Sequence, residues 1–574
     1  MDNQRLLIWT TFGLLVWMTY QAWLQDYGVA PAKPQPSAEQ TEVRPPSDDL
    51  RAPALPSDAV DSPAMADEAP ALESVTNEAP EDSTGIISVV TDVLDVEINT
   101  RGGTVQRARL LEYPVEKDQP DILIELLDSG STDLGLIQIG LNSAGDAPKA
   151  DHNAVFSAPA NHYALVRSDE LVVPLTWTDG QGVTVEKTYR FTRGSYRVDI
   201  TQRLSNDGAA DWRGADYAQM LRRSRPPDRS MFDVNSYSFD GPIIYDGSEY
   251  EKIDREDLID DGPLAKTAVD GWVGFIQRHF VAAVVPPSGY EYVYNVSVRD
   301  NVARSSLIST PSVVVSPGNE HAFESTLFIG PKLQEQMERV VESLKLSVDY
   351  GWLTILSQPL FWLLDLVHSF VANWGAAIII VTILIKAAFY KLTEASGRSM
   401  AKMREIQPRM KAIQDRYKED RQGQSQAMME LYKREKVNPA AGCLPILIQM
   451  PFFLAFYWVL LESVEMRQAP FALWISDLSV RDPYFILPIL MGAAMLFQQK
   501  LNPTPGDPVQ AKVMQIMPIM FTGFFAFFPA GLVLYWVTNT VLSVAQQWYI
   551  NKVVHEEAVA RKGGKKKKDK QTPD

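Results

Sequence analysis

Residues 376–389 read Ala376-Ala377-Ile378-Ile379-Ile380-Val381-Thr382-Ile383-Leu384-Ile385-Lys386-Ala387-Ala388-Phe389, an apolar run with a single lysine. A lysine within a membrane-spanning helix costs roughly 2.5–3.5 kcal/mol on insertion scales, and such residues usually face water or a partner charge. Lys386 is therefore a candidate functional residue. Thr382 lies four residues earlier, so both polar groups project from one helix face, and we expect that face to contact water.

Other apolar stretches predict further membrane-spanning helices. The chain has 574 residues, and its mean hydropathy of −0.12 averages over very different segments. Six stretches are predicted to cross about 30 Å of hydrocarbon, at residues 6–24, 375–391, 444–464, 484–499, 512–528 and 532–550. A cleavable signal peptide is the alternative for the first stretch, but its long apolar core and Pro31, after the small residues Gly28-Val29-Ala30, favour an uncleaved anchor.

The distribution of lysine and arginine predicts the orientation in the membrane. Basic residues are concentrated between the second and third spans and in the C-terminal tail, whereas the loop between the third and fourth spans has only Arg467 and Arg481. The positive-inside rule places both basic segments in the cytoplasm. With six spans the N-terminus is also cytoplasmic, and the large acidic segment after the first span, which carries most of the net charge of −17, lies outside.

Composition divides the chain into six segments. A stretch rich in Pro, Ala, Asp and Glu cannot bury enough apolar surface to fold, and the stretch after it alternates apolar and polar residues between turn signals. The predicted segments are an N-terminal transmembrane anchor (1–27), a disordered tether (28–84), a β domain (85–335), a connector with an interfacial amphipathic helix near 359–370 that is too short to span (336–373), a five-helix membrane core (374–550) and a basic cytoplasmic tail (551–574).

The β domain is predicted to be a large antiparallel sandwich. Residues 93–99 precede Arg101-Gly102-Gly103, and residues 183–191 lead through a turn into residues 196–200. Each pair of segments has the alternation and the turn residues of a β-hairpin. The histidines of this domain show no catalytic spacing and are more simply structural or surface residues; they are His152, His162, His279 and His321.

The cytoplasmic loop at 398–438 predicts an antiparallel helical hairpin with a break near residues 420–424. Apolar residues recur at helical spacing on its first arm and less regularly on its second. This stripe either only packs the two arms together or also contacts substrates, because methionine adapts its shape. The methionines concerned are Met403, Met410, Met428 and Met429.

Polar residues in the other predicted spans could complete a hydrophilic cavity around Lys386. They are Gln449 in the third span, Thr522 in the fifth, and Asn539, Ser543 and Gln546 on one face of the sixth. The alternative is that they only bridge helices by hydrogen bonds, which are worth about 0.6 kcal/mol each.

The sequence lacks the residue patterns that membrane enzymes and transporters usually have. The sequence has no intramembrane aspartate pair and no His-Glu-x-x-His, Gly-x-Ser-x-Gly or P-loop motif. The single cysteine, Cys443, leaves no cluster for zinc. We therefore expect neither an enzyme nor a bound cofactor or metal. A polypeptide-binding membrane protein, a secondary transporter of a small solute and a membrane-anchored scaffold are the functional alternatives, of which the transporter would need a chain of acids for coupling ions.

Short motifs along nearly the whole chain resemble the YidC family of membrane protein insertases of Gram-negative bacteria. They are Asn99-Thr100-Arg101-Gly102-Gly103, Val437-Asn438-Pro439, Gly442-Cys443-Leu444-Pro445, Gln449-Met450-Pro451, Arg467-Gln468-Ala469-Pro470-Phe471-Ala472-Leu473-Trp474-Ile475, Asp482-Pro483-Tyr484, Leu487-Pro488-Ile489-Leu490-Met491-Gly492 and Phe528-Pro529-Ala530-Gly531-Leu532-Val533-Leu534-Tyr535.

The resemblance implies an inner-membrane insertase and chaperone for nascent inner-membrane proteins, which works alone or with the Sec translocon. It implies a mixed membrane protein, in which a six-span α-helical transmembrane bundle holds a hydrophilic groove and an all-β supersandwich domain lies in the periplasm. Both termini are then cytoplasmic. Anionic lipids are expected partners, the ribosome is a further candidate for the basic tail, and DNA is not expected.

Two positions depart from the family pattern. The family has an arginine where this chain has Lys386, and lysine keeps the charge but loses the planar fork that binds carboxylates. A position in the sixth span that is often tyrosine aligns with Trp536, which follows Tyr535. By this resemblance both aromatic residues are expected to line the groove.

Overall fold

The computed structural model describes residues 85–130, 134–144, 149–223, 239–417, 420–435, 444–501 and 508–568. The predicted anchor at 1–27 and the predicted tether at 28–84 lie outside the described residues, and so do Cys443 and residues 569–574 of the tail. The first span and its signal-peptide alternative therefore stay predictions.

The described residues before 335 form mainly β-strands. The strands are β1 (Ile86–Val90), β2 (Leu94–Asn99), β3 (Thr104–Glu116), β4 (Gln119–Leu127), β5 (Gly135–Ser143), β6 (His162–Ala164), β7 (Glu170–Thr178), β8 (Val183–Thr192), β9 (Arg197–Asn206), β10 (Trp212–Arg223), β11 (Asp240–Tyr245), β12 (Tyr250–Lys252), β13 (Leu264–Val269), β14 (Trp272–Gln277), β15 (Phe280–Val285), β16 (Glu291–Arg299), β17 (Val302–Thr310), β18 (Val313–Val315) and β19 (Asn319–Pro331).

These strands form two sheets. The first has the order β13-β16-β17-β10-β5-β3-β2-β1-β6, with β18 beside β10 and β4 beside β3, and the second has the order β12-β11-β14-β15-β19-β9-β8-β7. Neighbouring strands are antiparallel except for β1 and β6, which are parallel. Both predicted hairpins are present, because β2 pairs with β3 and β8 pairs with β9.

The two sheets share one apolar core. In β2 every second residue is buried, and Leu94, Val96 and Ile98 lie in the same hydrophobic cluster as Val185 and Phe191 of β8. Alternation with period two gives each strand one apolar face, which the opposite sheet covers. A domain rich in β-sheet is thus confirmed, while the supersandwich assignment stays a prediction.

In the described part of the β domain one short helix interrupts the strands. Helix α1 (Arg255–Asp260) lies between β12 and β13, so the prediction of an all-β domain is wrong in this detail. Glu256 and Asp257 occupy its first turn, where acidic side chains interact favourably with the helix dipole, and Leu258 is buried.

Helices dominate the remainder of the described chain. They are α2 (Gln334–Glu338), α3 (Thr354–Val371), α4 (Trp374–Ala388), α5 (Tyr390–Arg416), α6 (Arg421–Glu435), α7 (Leu444–Glu462), α8 (Ile486–Leu501), α9 (Pro508–Phe525) and α10 (Ala530–Lys568). Three short 3₁₀ turns accompany them, at Glu342–Ser347, Gly351–Leu353 and Val464–Met466.

The connector helix α3 is longer than predicted, so the prediction that it is too short to span a membrane is wrong by length and composition. It begins at Thr354 and has 18 residues, so Pro359 lies inside it and does not mark its start. Ala372 ends α3 in the left-handed conformation, with φ 49°. The Asn373 side chain then accepts a hydrogen bond from the Ala376 amide at 2.9 Å and caps α4. The interfacial position of α3 stays a prediction.

Few described helices satisfy the length of a membrane span. Helix α3 is long and apolar enough to cross, and α4 with α5 passes the same test as a pair bent by 69°. Gln449–Glu462, Ile486–Leu501 and Lys512–Phe525 are shorter apolar segments. Helix α4 has 15 residues and so a length of about 22 Å, because the chain bends at Phe389 before the predicted end of the second span. The count of six spans stays a prediction.

Helix α10 joins two segments that the sequence separates. It runs for 39 residues from Ala530 to Lys568, without a break at the predicted start of the tail at 551. The tail residues include alanine, glutamate, lysine and arginine, which favour helix and extend one that is already nucleated.

Candidate functional site

Lys386 contacts a hydroxyl group on the last helix. Its Nζ donates a hydrogen bond to the Ser543 Oγ at 2.7 Å, and the Ser543 Oγ donates to the Asn539 backbone oxygen, also at 2.7 Å. Lys386 is half-buried. Helices α4 and α10 pack against each other, so the ammonium lies between the two helices with a neutral partner.

Further polar contacts join α5 to α10 on the C-terminal side of the bend at Phe389. The Gln546 Nε2 donates to the Thr393 Oγ1 at 2.7 Å. Beyond it, Arg398 pairs with Glu557 at 3.0 Å. Together with Lys386 and Ser543, these residues form a series of polar contacts along α10, which we call the polar seam.

Two predicted site residues do not face this seam. Thr382 is 1% exposed, and its hydroxyl donates to the Ile378 oxygen of its own helix at 2.6 Å. Thr522 also bonds within its own helix, and it packs against α8 so closely that a Cβ at Gly492 would overlap its hydroxyl. A hydroxyl that bonds to the carbonyl four residues earlier no longer needs water, so the expected wet face at Thr382 is wrong.

Tyr535 and Trp536 belong to an aromatic cluster. The ring of Tyr535 stacks on Phe456 of α7 with 4.5 Å between centroids, and Trp536 meets Phe453 edge-to-face at 4.3 Å. Tyr535 is buried, with 6% of its surface exposed. Phe525 of α9 approaches Trp536 at 4.9 Å. The cluster therefore ties α7, α9 and α10 together, and Tyr535 supports the helix packing more than it lines an open surface.

Gln449 and Asn539 are half-buried in α7 and α10. Asn539 contributes to the seam through its backbone oxygen, which accepts the Ser543 hydroxyl hydrogen. The structure thus brings Lys386, Asn539, Ser543 and Gln546 together, and it places Gln449 on α7, the helix that also carries the aromatic residues packed on Tyr535.

The predicted hairpin consists of α5 and α6, although its first arm begins at Tyr390 and so before residue 398. A small apolar core joins the arms, with Ile406, Met410 and Leu431 buried and Met403 and Met428 packed against them. Met429 is 47% exposed. Most of the methionine stripe therefore packs the arms together, and Met429 is the one of the four predicted methionines that is exposed.

Sequence reasoning missed Thr393, Gly397 and Arg398. A Cβ at Gly397 would overlap side-chain atoms of Ile550 and Gln547, so glycine allows α5 to approach α10 closely. A glycine inside a helical pattern is a usable signal of such an approach. Its partner helix could not be read from the sequence.

No group of three or more His, Cys, Asp or Glu side chains in the described ranges is arranged to hold a metal ion. The chemistry of the candidate site is instead one ammonium group with hydroxyl and amide neighbours. Such a site can attract carboxylates and exchange hydrogen bonds with water or backbone groups.

Comparison with known proteins covers most of the chain. Residues 86–363 match the model of the YidC periplasmic domain, and residues 366–557 match the model of the 60Kd inner membrane protein. The membrane protein insertase YidC of Thioalkalivibrio sulfidiphilus is 47% identical over 98% of this chain and 100% of its own length. That of Alkalilimnicola ehrlichii is 46% identical over 100% of both chains.

A crystal structure of an active YidC insertase with its first transmembrane domain resolved aligns with 81% of this chain and 95% of its own, at 18% identity and a TM-score of 0.37. The family assignment follows from the two bacterial relatives, whose identity extends over the whole chain. The chain therefore belongs to the YidC family of membrane protein insertases, inner-membrane proteins with a periplasmic domain that are not enzymes.

Proposed function

We propose that this protein inserts nascent inner-membrane proteins and helps them to fold, alone or with the Sec translocon, through a hydrophilic groove beside Lys386. The observation that carries the proposal is the hydrogen bond of Lys386 to Ser543. A cation with a neutral partner keeps its charge available for an acidic group that passes, whereas a carboxylate partner would neutralise it.

Exposed apolar surface on α9 and α7 supplies the driving force in this proposal. Helix α9 exposes Ile516, Ile519 and Met520, and α7 exposes Met450. A hydrophobic substrate helix would partition into lipid along these faces, which contributes about 25 cal/mol per Å² of apolar area removed from water. The polar outer segment of the substrate would cross beside Lys386. The ammonium group would offset the free-energy cost of removing the acidic side chains of that segment from water.

The proposed placement has six spans, with both termini in the cytoplasm. The basic residues of α5, α6 and the end of α10 support a cytoplasmic hairpin and tail. Helix α3 buries Leu360 and Leu364 and exposes Trp362 and Phe370 on another face. This arrangement supports contact with the periplasmic surface of the inner membrane.

Anionic lipid is the proposed main partner of the lysines at 565–568. Near a membrane surface each contributes about 1 kcal/mol of attraction. The ribosome is a second candidate, whose binding would depend steeply on salt.

Site-specific photo-crosslinking tests the groove. Crosslinkers at Gln546 and Ile519 should capture the polar and the hydrophobic segment of a stalled nascent membrane protein, respectively, and a crosslinker at Ile122, exposed in the β domain, serves as the control. A solute transporter would give no polypeptide crosslinks from either membrane site. A periplasmic scaffold would give them from Ile122 only.

Two deletions compare the parts of the molecule. We expect deletion of the hairpin at 398–438 to impair insertion more than deletion of residues 88–310, provided that the connector and α3 remain. The comparison needs matched membrane levels in a strain depleted of the wild-type protein. Normal growth without the hairpin, together with failure without the β domain, would overturn the assignment of insertion to the membrane core.

A further inference from the structure

The β domain contacts the helical region at the end of α7 and in the loop that follows. We call this contact surface the junction. On the helical side it comprises residues 461–476. On the β side it comprises the end of β3 with the residue after it, the turn before β15 and the residue after β19.

A buried ion pair lies at the centre of the junction. The Lys332 Nζ contacts the Glu462 Oε2 at 2.8 Å, and the two side chains are only 1% and 11% exposed. Next to it, His279 is buried and its Nε2 donates to the Leu461 backbone oxygen at 3.0 Å. Burial lowers the pKa of His279 to about 3, so this ring is neutral and adds no second cation beside Lys332.

A second group of contacts fixes the loop after α7. The Arg467 guanidinium donates to the backbone oxygens of Pro114 and Val115, each at 2.8 Å, and lies over the Phe280 ring at 5.6 Å. In the opposite direction, the Lys117 Nζ donates to the Ser476 oxygen at 2.7 Å. Strand β3 thus accepts hydrogen bonds from the loop, and Lys117, the residue after β3, donates one to the backbone of the loop.

We propose that Lys332 and Glu462 are positioning residues that hold the periplasmic end of α7 against the β domain, so that the domain and this helix move as one body. Burying two charges costs free energy unless they form an ion pair with each other. Removing one partner leaves the other as an uncompensated buried charge. The pair therefore favours one docked arrangement over other contacts between the same surfaces.

The consequence reaches the candidate site through α7. This helix carries Phe453 and Phe456, which pack on Trp536 and Tyr535, and it carries Gln449. A partner that binds the β domain would therefore act on one wall of the site through the junction. The docking itself does not depend on the proposed insertion activity, and it can be measured without a substrate.

Hydrogen–deuterium exchange of the full-length protein in lipid nanodiscs tests the proposal. We expect Lys332→Met and Glu462→Gln each to speed amide exchange at 459–466 at least tenfold. The double variant Lys332→Met/Glu462→Met has no buried charge, so its exchange should return to within threefold of the wild type. Lys345→Met is the matched control, because Lys345 pairs with Glu338 and Glu342 on the surface.

Exchange in β8 and β9 reports whether the β domain stays folded in each variant. Unchanged exchange at 459–466 in both single variants would overturn the proposal. Exchange in the double variant as fast as in the single variants would also overturn it, because the two side chains would then act independently. If Lys332→Met unfolds the β strands, Glu462→Gln, which lies outside the β domain, decides alone.

Discussion

The charge of Lys386 can be changed without removing its helix from the bundle. Lys386→Arg keeps a cation, Lys386→Met keeps the length of the stem without charge, and Lys386→Glu reverses the charge. Ser543→Ala is the matched variant that removes the hydrogen-bond partner of Lys386 and leaves the cation in place. We expect arginine to retain insertion and glutamate to impair substrates with acidic outer segments most strongly.

The magnitude follows from Coulomb's law. A carboxylate that passes within 4–6 Å of the ammonium gains about 3–4 kcal/mol at an effective dielectric constant near 20. Water and salt in a half-open site reduce this value. If only half of it acts in the transition state, its loss in Lys386→Met slows insertion about tenfold, and charge reversal slows it further. Ser543→Ala removes one hydrogen bond of about 1 kcal/mol, so it should change the rate less than about fivefold.

The assay is insertion into vesicles that contain equal amounts of each variant. Two substrates share one hydrophobic helix and differ in their outer segments, which carry either three acidic residues or three amides. The ratio of their insertion rates isolates the electrostatic effect from any general loss of activity. Equal rates for the acidic substrate with wild type and Lys386→Glu would contradict an electrostatic role for Lys386, and so would an equal loss for both substrates.

Three further outcomes test other parts of the structure. Burial lowers the pKa of Lys187 in the β domain to about 7, below its value in the unfolded chain. The free energy of unfolding should therefore rise by up to about 1.4 kcal/mol per pH unit between pH 7 and 10. Chemical denaturation should show this slope, and Lys187→Met should abolish it. Met410→Ala should destabilise the hairpin by about 2–5 kcal/mol, measured by exchange in α5 and α6, whereas exposed Met429→Ala should cost less than about 0.5 kcal/mol. Truncation after Arg561 should reduce vesicle binding, and ribosome co-sedimentation that is unchanged across salt concentrations would exclude the tail as the main ribosome contact.

The sign of the Lys187 prediction follows from its surroundings. Its side chain is fully buried, and its Nζ donates to the Gly102 oxygen at 2.7 Å and also to the Ile139 oxygen. In the described part of the chain no carboxylate contacts the Lys187 ammonium directly, and the charge of Asp151 raises the Lys187 pKa less than burial lowers it. The folded state therefore binds the proton less tightly than the unfolded chain. Stability is therefore lower below pH 7 and is regained as the pH rises toward the ordinary pKa of lysine.

Local sequence patterns predicted the elements that depend on local rules. The alternation in β2 and β8 and the turn residues after them were sufficient for both hairpins. Likewise, the helical spacing of apolar residues on the first arm predicted the inner face of the α5–α6 hairpin, where Ile406 and Met410 are buried. In each case burial of one face is decided within a few residues of sequence, so no knowledge of distant packing is needed.

The arrangement of the site depends on distant packing and could be predicted only in part. Asn539, Ser543 and Gln546 share a face by helical periodicity, and that face does contain the partner of Lys386. Thr382 has the same periodic relation to Lys386, yet it is buried, because the α4 face around it packs in the apolar core with Ile378 and Val381. Periodicity places residues on a face, but it does not say where along that face a neighbouring helix ends its contact.

The bend at Phe389 explains which polar residues meet. A straight helix would carry Thr393 onward along the axis of α4, whereas the 69° change of direction turns α5 along a different part of α10. Lys386 before the bend then contacts Ser543, and Thr393 after it contacts Gln546, three residues later on α10. One helix therefore presents adjacent polar groups to two segments that differ in direction. A variant that straightened this bend would separate Thr393 from Gln546 while keeping Lys386 beside Ser543, so the seam on α10 depends on the bend as much as on its own side chains.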